Sequence, residues 1–286
     1  MDLTLRDVVD VLERLYPPRT AQSWDRVGLV TGDLDQPVSR IHLALDPTLA
    51  VIDEARAQQA DLLVTHHPLL LRGVHSVATS TAKGASVTSL VVGDVALYVA
   101  HTNADVATPG VSDALAQACG LDPAALEPLA VEEGQPLGRV GDLAEPMTLA
   151  SFVERLSRTL PRAAGGLRVA GPAEAMVRRV AAMGGAGDDL FAAARACGAD
   201  VYVTADLRHH PALEAREESR GATPYLVDAG HWATEAYWLT RLEADLLAAL
   251  GHDDDGSPRV ETHISTVRTD PWDFTVGAEP PGGMPS

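Results

Sequence analysis

The chain has 286 residues, 46% of them hydrophobic, and its 40 acidic and 22 basic residues give a formal net charge of −18. This length accommodates one or two domains with a substantial core. So acidic a surface repels phosphate backbones and argues against nucleic acid as a partner. The sequence lacks the apolar run of roughly 18 residues that a membrane span needs, and its acidic N-terminus does not resemble a secretion signal.

Cysteine usage indicates a reducing compartment, so we expect a cytoplasmic protein. The two cysteines, Cys119 and Cys197, each precede a glycine at the end of a predicted helix. One pair cannot form a disulfide framework. Neither residue has a Cys or His neighbour that would help it to bind a metal. We therefore predict both as small buried residues.

Segments of helical and strand character alternate over the first 120 residues. Thr4 is predicted to cap an amphipathic helix that prolines end, and Thr48 a second helix. Alternating strands and helices indicate an α/β unit with a mostly parallel sheet. The predicted strands are 40–46, 61–67 and 95–101, and the predicted helices are 5–15, 48–60, a segment ending near 93, and 110–120.

A Pro-, Gly- and acid-rich stretch, residues 121–146, can hold a domain boundary near 125–135. A second α/β region follows it, and it ends in a strand that leads into a long helix near residue 230. Residues 268–286 are rich in Pro and Gly and are predicted to be a disordered tail. The predicted helices are 148–160 and 188–198, and the predicted strands are 166–171, 177–185, 199–206, 223–228 and 259–266.

Polar residues follow apolar strands at three places. "LLVTHHP" ends in His66 and His67, "LYVAHTNAD" leads to His101 and Asp105, and "YLVDAGHWATE" leads to a predicted helix start. Ligands gather at the carboxyl ends of parallel strands, so we expect these tips to converge.

The third tip carries a spaced pair of ligand-type residues. His231 and Glu235 lie four residues apart and share one face of a helix, and Gly230 permits a tight turn before it. Adjacent strand residues point to opposite faces. His66 and His67 could then each bind a different ion, which suits a site with two metals.

The predicted ligand set suits a dinuclear site with open positions for water. Imidazole and carboxylate ligands fit Zn, Fe, Ni, Co or Mn, and the metal stays open among these. His42, His75, His252 and His263 have no such setting and are predicted to be structural. The predicted metal ligands are His66, His67, Asp105, His231 and Glu235.

Six stretches occur in an order that resembles one known family. They are "WDRVGL", "VTHHPLL", "HTNAD", "GGAGDDL", "VTADLRHH" and "DAGHWATE". The chain resembles the GTP cyclohydrolase 1 type 2 homologs, also called the Nif-three-like dinuclear metal proteins, from residue 1 to about 267. Arg26 stands where the family commonly has Asn, and Ala205 where it commonly has Gly.

The resemblance implies two α/β domains with mixed sheets, the second inserted into the first, and six chains in a toroid. It also implies two metal ions per chain on the ligand set given above. The predicted domains are a metal-binding domain of residues 1–128 plus 225–267, and an inserted domain of residues 129–224. The inserted domain is too short to contain the further domain that some members of the family carry, so the chain resembles the short form of the family.

The leading function is a metal-dependent hydrolase, GTP cyclohydrolase-like or phosphoesterase-like, that uses a metal-activated water. The sequence has no "GxSxG" elbow and no reactive Cys setting, which leaves the metal as the source of the nucleophile. His101 and His210 are the predicted proton-transfer residues. The motifs "WDRVGL" and "VTADLRHH" have two possible roles. Their residues, among them Asp206, could contribute to the site or could serve only in local packing of loops.

A second class of function stays open, namely a non-enzymatic metal-binding ring that stores or delivers metal or serves as a protein scaffold. Open coordination positions favour the enzyme, and a closed site would favour the scaffold. The expected partners are further copies of the chain and a small-molecule or nucleotide substrate. No P-loop is present to specify a nucleotide.

Overall fold

A computed structural model describes residues 3–253 and 256–277. The chain alternates between helices and strands that form two mixed sheets. The helices are α1 Leu5–Leu15, α2 Leu49–Ala57, α3 Ala82–Val92, α4 Thr102–Val106, α5 Val111–Ala118, α6 Leu149–Thr159, α7 Phe191–Ala196, α8 His209–Glu218, α9 His231–Ala236 and α10 Trp238–Leu250. The strands are β1 Gly28–Thr31, β2 Arg40–Ala44, β3 Leu62–Thr65, β4 Ala96–Val99, β5 Glu127–Glu132, β6 Gln135–Thr148, β7 Arg168–Ala170, β8 Met176–Ala186, β9 Val201–Ala205, β10 Tyr225–Asp228 and β11 Glu261–Ile264.

The first sheet has the strand order β1-β4-β3-β2-β11. β4, β3, β2 and β11 run parallel, and β1 is antiparallel to β4. The carboxyl ends of β3 and β4 therefore lie side by side at one edge of the sheet. One face packs on α1 and α10 and the other on α2 and α3, so this sheet is covered on both faces, as parallel sheets usually are.

The second sheet has the strand order β5-β6-β8-β9-β10-β7, with β8, β9 and β10 parallel. One face packs on α5 and α6, and the other on α7 and α8. β10 pairs residue for residue with β9, Leu226 beside Tyr202 and Val227 beside Val203.

β10 thus lies in the second sheet, whereas the predicted first domain resumes at residue 225, and the domain bounds stay a prediction. Leu226 and Val227 are both buried because they lie on opposite faces of an interior strand. Such an apolar run does not reveal which sheet it joins. The chain returns to the first sheet with α10, which contacts α1, β2 and β11.

The predicted helix caps are confirmed. Thr4 Oγ1 accepts a hydrogen bond from the Asp7 amide, and the Asp7 carboxylate accepts one from the Thr4 amide at 2.8 Å. Thr48 caps α2 by accepting from the Val51 amide. Each such cap is worth about 1 kcal/mol. Of the two cysteines, Cys119 is buried as predicted, whereas Cys197 is half-buried, because the short helix α7 that it ends lies at the surface.

Three strands were not predicted. β1 extends the first sheet on its β4 edge, and β5 and β6 form an antiparallel pair that reaches across the stretch predicted as a boundary. The turn between them uses Glu133 and Gly134, both at positive φ. Gly134 adopts this conformation without the cost that a side chain would meet.

The last described residues pack against the chain. Thr269 donates a hydrogen bond to Asp46, and Thr275 donates to the Ala164 carbonyl at 2.7 Å. Thr269 and Thr275 thus hydrogen-bond to the rest of the chain, and the disorder predicted for residues 268–277 stays a prediction. The prediction for 278–286 falls outside the described residues. No helix in the described part of the chain combines the length and the hydropathy needed to cross a membrane.

Candidate metal centre

The site lies where strand ends of the two sheets face each other. His66 and His67 directly follow β3, and His101 and Asp105 follow β4. α9 begins at His231 after a turn at Gly230, whose φ of +80° is the conformation that glycine adopts readily. α9 contacts β8 and β9, so it brings its side chains to the first sheet from the second.

The structure brings together all five residues predicted as metal ligands. His66 Nε2 lies 3.6 Å from Glu235 Oε1 and 3.7 Å from Asp105 Oδ1. His67 Nε2 lies 3.1 Å from Glu235 Oε2, and His231 Nε2 lies 3.2 Å from Glu235 Oε1. The Nε2 atoms of His67 and His231, which we call the outer imidazoles, are 3.3 Å apart. The Glu235 carboxylate thus lies among three imidazole nitrogens.

The Nδ1 atom of each of these three imidazoles is held by an acceptor. His66 Nδ1 donates to the Ala100 carbonyl at 2.9 Å. His67 Nδ1 donates to Asp46 at 2.7 Å, and His231 Nδ1 donates to Asp206 at 2.8 Å. Such acceptors fix the tautomer that leaves the Nε2 lone pair free, which is how metal-binding histidines are oriented.

Three buried polar atoms of the cluster have no hydrogen-bond partner within the described residues, namely His66 Nε2, Asp105 Oδ1 and Glu235 Oε2. Burying such atoms without a partner costs about 1–3 kcal/mol each. Divalent cations beside these atoms would satisfy all three, because each atom can present a lone pair. The residues present therefore fit a metal ion bound by nitrogen and oxygen.

Burial and mutual charge shift the titration of the cluster. Burial lowers the pKa of His66 to about 4. Burial also lowers the pKa of His67, but the Glu235 charge and the Asp46 hydrogen bond outweigh it and raise that pKa to about 10. For His231, the hydrogen bonds to Asp206 and Glu235 likewise outweigh burial and raise the pKa to about 11.

The two carboxylates of the cluster shift in opposite directions. Burial raises the pKa of Asp105 well above its usual range, and the negative charge of Glu235 adds to this. Burial opposes ionisation of Glu235 too, but the imidazoles that face it hold its pKa well below the usual range. Glu235 thus stays ionised at neutral pH, beside the protonated imidazoles of His67 and His231 in the metal-free cluster.

Cation binding is expected to release on the order of two protons per chain, from His67 and His231, because ligands must be deprotonated. The raised pKa values of His67 and His231 keep both protonated up to about pH 10. Proton competition therefore weakens as pH rises. Apparent affinity for Zn²⁺ should increase by at least about tenfold per unit between about pH 6 and pH 8. Calorimetry in buffers of different ionisation enthalpy counts the protons, and a pH-independent affinity would contradict the expectation.

His101 lies beside this cluster. Its ring centroid is 5.1 Å from that of His66 and 5.5 Å from that of His67, and its Nδ1 lies 3.0 Å from Asp25 Oδ1. Asp25 also accepts from the amide and hydroxyl of Thr102, at 3.0 and 2.5 Å. Burial raises the pKa of Asp25, but these hydrogen bonds outweigh it and hold that pKa well below its usual range. "WDRVGL" thus contributes a charged partner for His101.

His210 lies away from the ligands. It is exposed near the start of α8, and its ring contacts that of His209 at 5.1 Å. No contact with the ligand cluster is found for it among residues 3–253 and 256–277. Asp206, from the same motif, does join the site through His231. Arg26 hydrogen-bonds to the backbone and side chain of its neighbour Asp25.

A second group of potential ligands forms on the far side of the first sheet. His42 Nε2 lies 3.0 Å from Glu54 Oε2, and His263 stacks on His42 at 5.0 Å. Here Glu54 already accepts hydrogen bonds from Ser265 and Thr266, so the His42 contact has the form of a hydrogen bond that ties α2 to the sheet. His42 Nδ1 has no acceptor in the described chain, so the support seen in the first cluster is absent.

Two further residues of the site were not predicted. Asp46, the acceptor for His67, follows β2 much as the ligands follow their strands. Gly185, at φ +70°, lies against the ligand carboxylate, and a Cβ there would come within 2.2 Å of Glu235 Oε1. Its amide donates to Thr234 Oγ1 at 3.0 Å. Asp46 could have been found in the sequence, because an acidic residue directly after a predicted strand is a recognisable pattern. The role of Gly185 could not, because it depends on a contact with a residue 50 positions away.

The chain is an α/β protein with two mixed sheets, and three imidazoles and two carboxylates meet where the strand ends of these sheets face each other. These buried His and Glu side chains could hold a metal ion. The family model Duf34/NIF3 (NGG1p interacting factor 3) matches residues 3–271. The chain belongs to this family, which confirms the resemblance found in the sequence.

Relatives and solved structures agree with this assignment. A Streptomyces coelicolor protein named GTP cyclohydrolase 1 type 2 homolog is 48% identical, and the match covers 96% of each chain. A Mycobacterium tuberculosis protein of the same name is 35% identical over 96% of this chain and 98% of its own. The crystal structure of a Bacillus cereus protein related to NIF3 superposes with a TM-score of 0.85 at 26% identity, covering 96% of this chain and 99% of that one.

Proposed function

We propose that the protein is a metal-dependent hydrolase with two divalent ions held by His66, His67, Asp105, His231 and Glu235. The observation that carries the proposal is the orientation of the three imidazoles, each with Nδ1 bonded to an acceptor and Nε2 turned to the ligand carboxylates. A cavity of about 800 Å³ reaches two of them, His67 and His231, and offers room for a small molecule.

Two ions are supported by two overlapping groups of ligand-type residues. His66, His67 and His101 form one, and His67, His231 and Glu235 form the other. The two oxygens of Glu235 face different imidazoles, which suits a bridging carboxylate. Divalent ions bound here would supply Lewis acidity and lower the pKa of a bound water. The nitrogen and oxygen donors suit Zn, Fe, Mn, Ni or Co.

The chain's own residues would bind, orient and transfer protons. Asp46, Asp206 and the Ala100 carbonyl hold the three imidazoles, so that little reorganisation is needed when a substrate binds. His101 is placed to accept or donate a proton at the edge of the cluster, and Asp25 holds its ring in place through Nδ1.

His101→Ala separates two roles for this residue. If His101 transfers protons, metal content stays and the hydrolysis rate falls by roughly 10²–10⁴-fold. If it only supports the ligands, metal content falls together with activity. Metal analysis and rate measurement on the same sample distinguish the two. His210→Ala, at an exposed position away from the ligands, is the matched control, and an equal loss there would contradict the assignment of His101.

Turnover screening of the metal-loaded protein tests the function. The name of the curated relatives makes GTP the first compound to test, followed by other nucleotides and phosphoesters. Activity should disappear with a chelator, return with added divalent metal, and fall steeply in Asp105→Ala. Activity that survives complete metal removal would refute the proposal. Tight metal retention without turnover of any compound would favour a metal store, a metal chaperone or a scaffold.

We also propose that the domain carrying β5 to β10 is inserted into the domain of the first sheet, and that the chain forms a hexamer in the cytoplasm. The strand order supports the insertion, because residues 127–228 supply the second sheet between β4 and β11 of the first. Light scattering gives the mass of the assembly in solution, and a monomer would contradict the ring.

A further inference from the structure

The C-terminal segment follows a defined path from the first sheet to the second half of the molecule. Ser265 and Thr266 are fixed by Glu54 on α2. Beyond them, Asp270 accepts a hydrogen bond from the Ala164 amide at 3.3 Å, and Thr275 donates to the Ala164 carbonyl at 2.7 Å. We refer to residues 268–277 as the C-terminal strap.

The strap forms one wall of the cavity beside the candidate metal centre. Pro271, Trp272 and Phe274 line the cavity from the strap, and His67 and His231 line it from the ligand cluster. Ala163, Gly165 and Gly166 also line the cavity, next to Ala164, which hydrogen-bonds to the strap. A small molecule in this cavity would therefore contact both the strap and the outer imidazoles.

A single chain of hydrogen bonds connects the strap with a ligand of the cluster. Thr269 Oγ1 donates to Asp46 Oδ2, and the other oxygen of Asp46 accepts from His67 Nδ1 at 2.7 Å. The Asp46 side chain is about one-quarter exposed and that of His67 one-fifth. Asp46 thus has one oxygen for the strap and one for the imidazole, and both contacts constrain its rotation.

We propose that the strap is coupled to metal binding through this chain, with Thr269 and Asp46 as positioning residues for His67. A docked strap holds the Asp46 carboxylate in the orientation that fixes the His67 ring and its tautomer. An undocked strap leaves Asp46 free to rotate, which weakens the hold on His67. The inference rests on the proposed metal site, although it does not depend on the reaction or the substrate.

Coupling of this kind is reciprocal. If docking of the strap strengthens metal binding by some factor, metal binding must strengthen docking of the strap by the same factor. Two independent quantities therefore report on one coupling, the metal affinity and the protection of backbone amides in residues 268–277. Neither requires a known substrate.

The experiment compares full-length variants by Zn²⁺ competition with a chromophoric chelator. Thr269→Val removes the hydroxyl with little change in shape and should weaken Zn²⁺ binding by about threefold to tenfold, the size of one hydrogen bond. Asp46→Asn should weaken it by about 10–100-fold, as outer partners of metal ligands do. Thr269→Ser keeps the hydroxyl and should bind as the unaltered protein does.

Thr262→Val is the matched control, because Thr262 also donates to a carboxylate, that of Glu243 at 2.9 Å, without a link to the cluster. Its Zn²⁺ affinity should equal that of the unaltered protein. Thermal unfolding of the metal-free variants checks that Thr269→Val folds as well as Thr262→Val. Hydrogen exchange of the strap amides should slow on Zn²⁺ loading, and Thr269→Val should abolish the slowing.

The outcomes separate the strap from the metal site. Failure of the unaltered protein to bind Zn²⁺ would refute the proposed function and the proposed coupling of the strap. Zn²⁺ binding that Asp46→Asn weakens and Thr269→Val leaves unchanged would overturn the strap alone. An unchanged rate of hydrogen exchange in the strap on Zn²⁺ loading would overturn the strap proposal as well. A segment that strengthens metal binding must itself be stabilised by the metal.

Discussion

Glu235→Gln is expected to remove most of the metal from the protein as isolated. The carboxylate lies within 3.1–3.6 Å of the Nε2 atoms of all three imidazoles, so a neutral amide removes the one anionic donor that all three imidazoles share. Loss of outer partners alone costs about 10–100-fold in metal affinity, and loss of a central ligand should exceed about 100-fold. Retention of one tightly held ion would instead assign Glu235 to a single metal.

The metal-free form of this variant should also lose stability. Glu235 is buried and its pKa lies well below the usual range, so its charge stabilises the folded state at neutral pH, and that stabilisation is lost as pH falls through the folded pKa. Without the charge, the protonated imidazoles of His67 and His231 face no counter-charge from this side. Breaking such a buried pair costs about 3–5 kcal/mol.

Glu54→Gln provides the matched control for that experiment. Glu54 is likewise a carboxylate between two imidazoles, those of His42 and His263, and it lies in the second cluster. The variant should lose stability through its broken hydrogen bonds and keep its full metal content. Metal analysis and denaturant unfolding of both variants make the comparison. Equal metal loss in the two would show that the second cluster also binds metal.

Gly185→Ala is expected to displace the Glu235 carboxylate and to lower metal content without unfolding the chain. The new Cβ would approach Glu235 Oε1 to 2.2 Å and His231 Cε1 to 3.4 Å. The first atom is the end of a flexible side chain, so the carboxylate moves rather than the backbone. The positive φ of +70° adds about 1–2 kcal/mol of destabilisation.

Gly134→Ala separates the contact from the backbone strain. Gly134 has a φ of +79°, and a Cβ there would meet nothing within 4 Å. Both alanine variants should therefore lose comparable stability, and only Gly185→Ala should lose metal. Metal content is measured beside the unfolding midpoint. Full metal content in Gly185→Ala would show that the carboxylate has room to move while it stays a ligand.

The sequence predicts well those features that a short stretch encodes. Thr4 and Asp7 lie three residues apart and form a capping box, and apolar strands that end in ligand-type residues identify the cluster. His66 and His101 follow the neighbouring parallel strands β3 and β4, so their convergence follows from the geometry of parallel strands. Glu235 reaches them on a helix that follows a strand of the other sheet, which this geometry does not explain.

Features that depend on distant contacts could not be predicted in this way. Leu226 and Val227 suit an interior strand of either sheet, and only the pairing with β9 decides between them. β6 contains Pro136, Gly138 and Gly141, which read locally as a loop, but its pairing with β5 and β8 makes it a strand. The same holds for the strap, where Thr269 finds its partner more than 200 positions earlier in the chain.

The placement of β10 in the second sheet divides the cluster between two separately packed layers. His66, His67 and Asp105 belong to the layers of β3 and β4, whereas His231 and Glu235 follow a strand of the other sheet. Neither half of the molecule could form the site alone. Substitutions in the packing between the two halves, far from any ligand, would change the spacing of the donors, so metal binding depends on that packing.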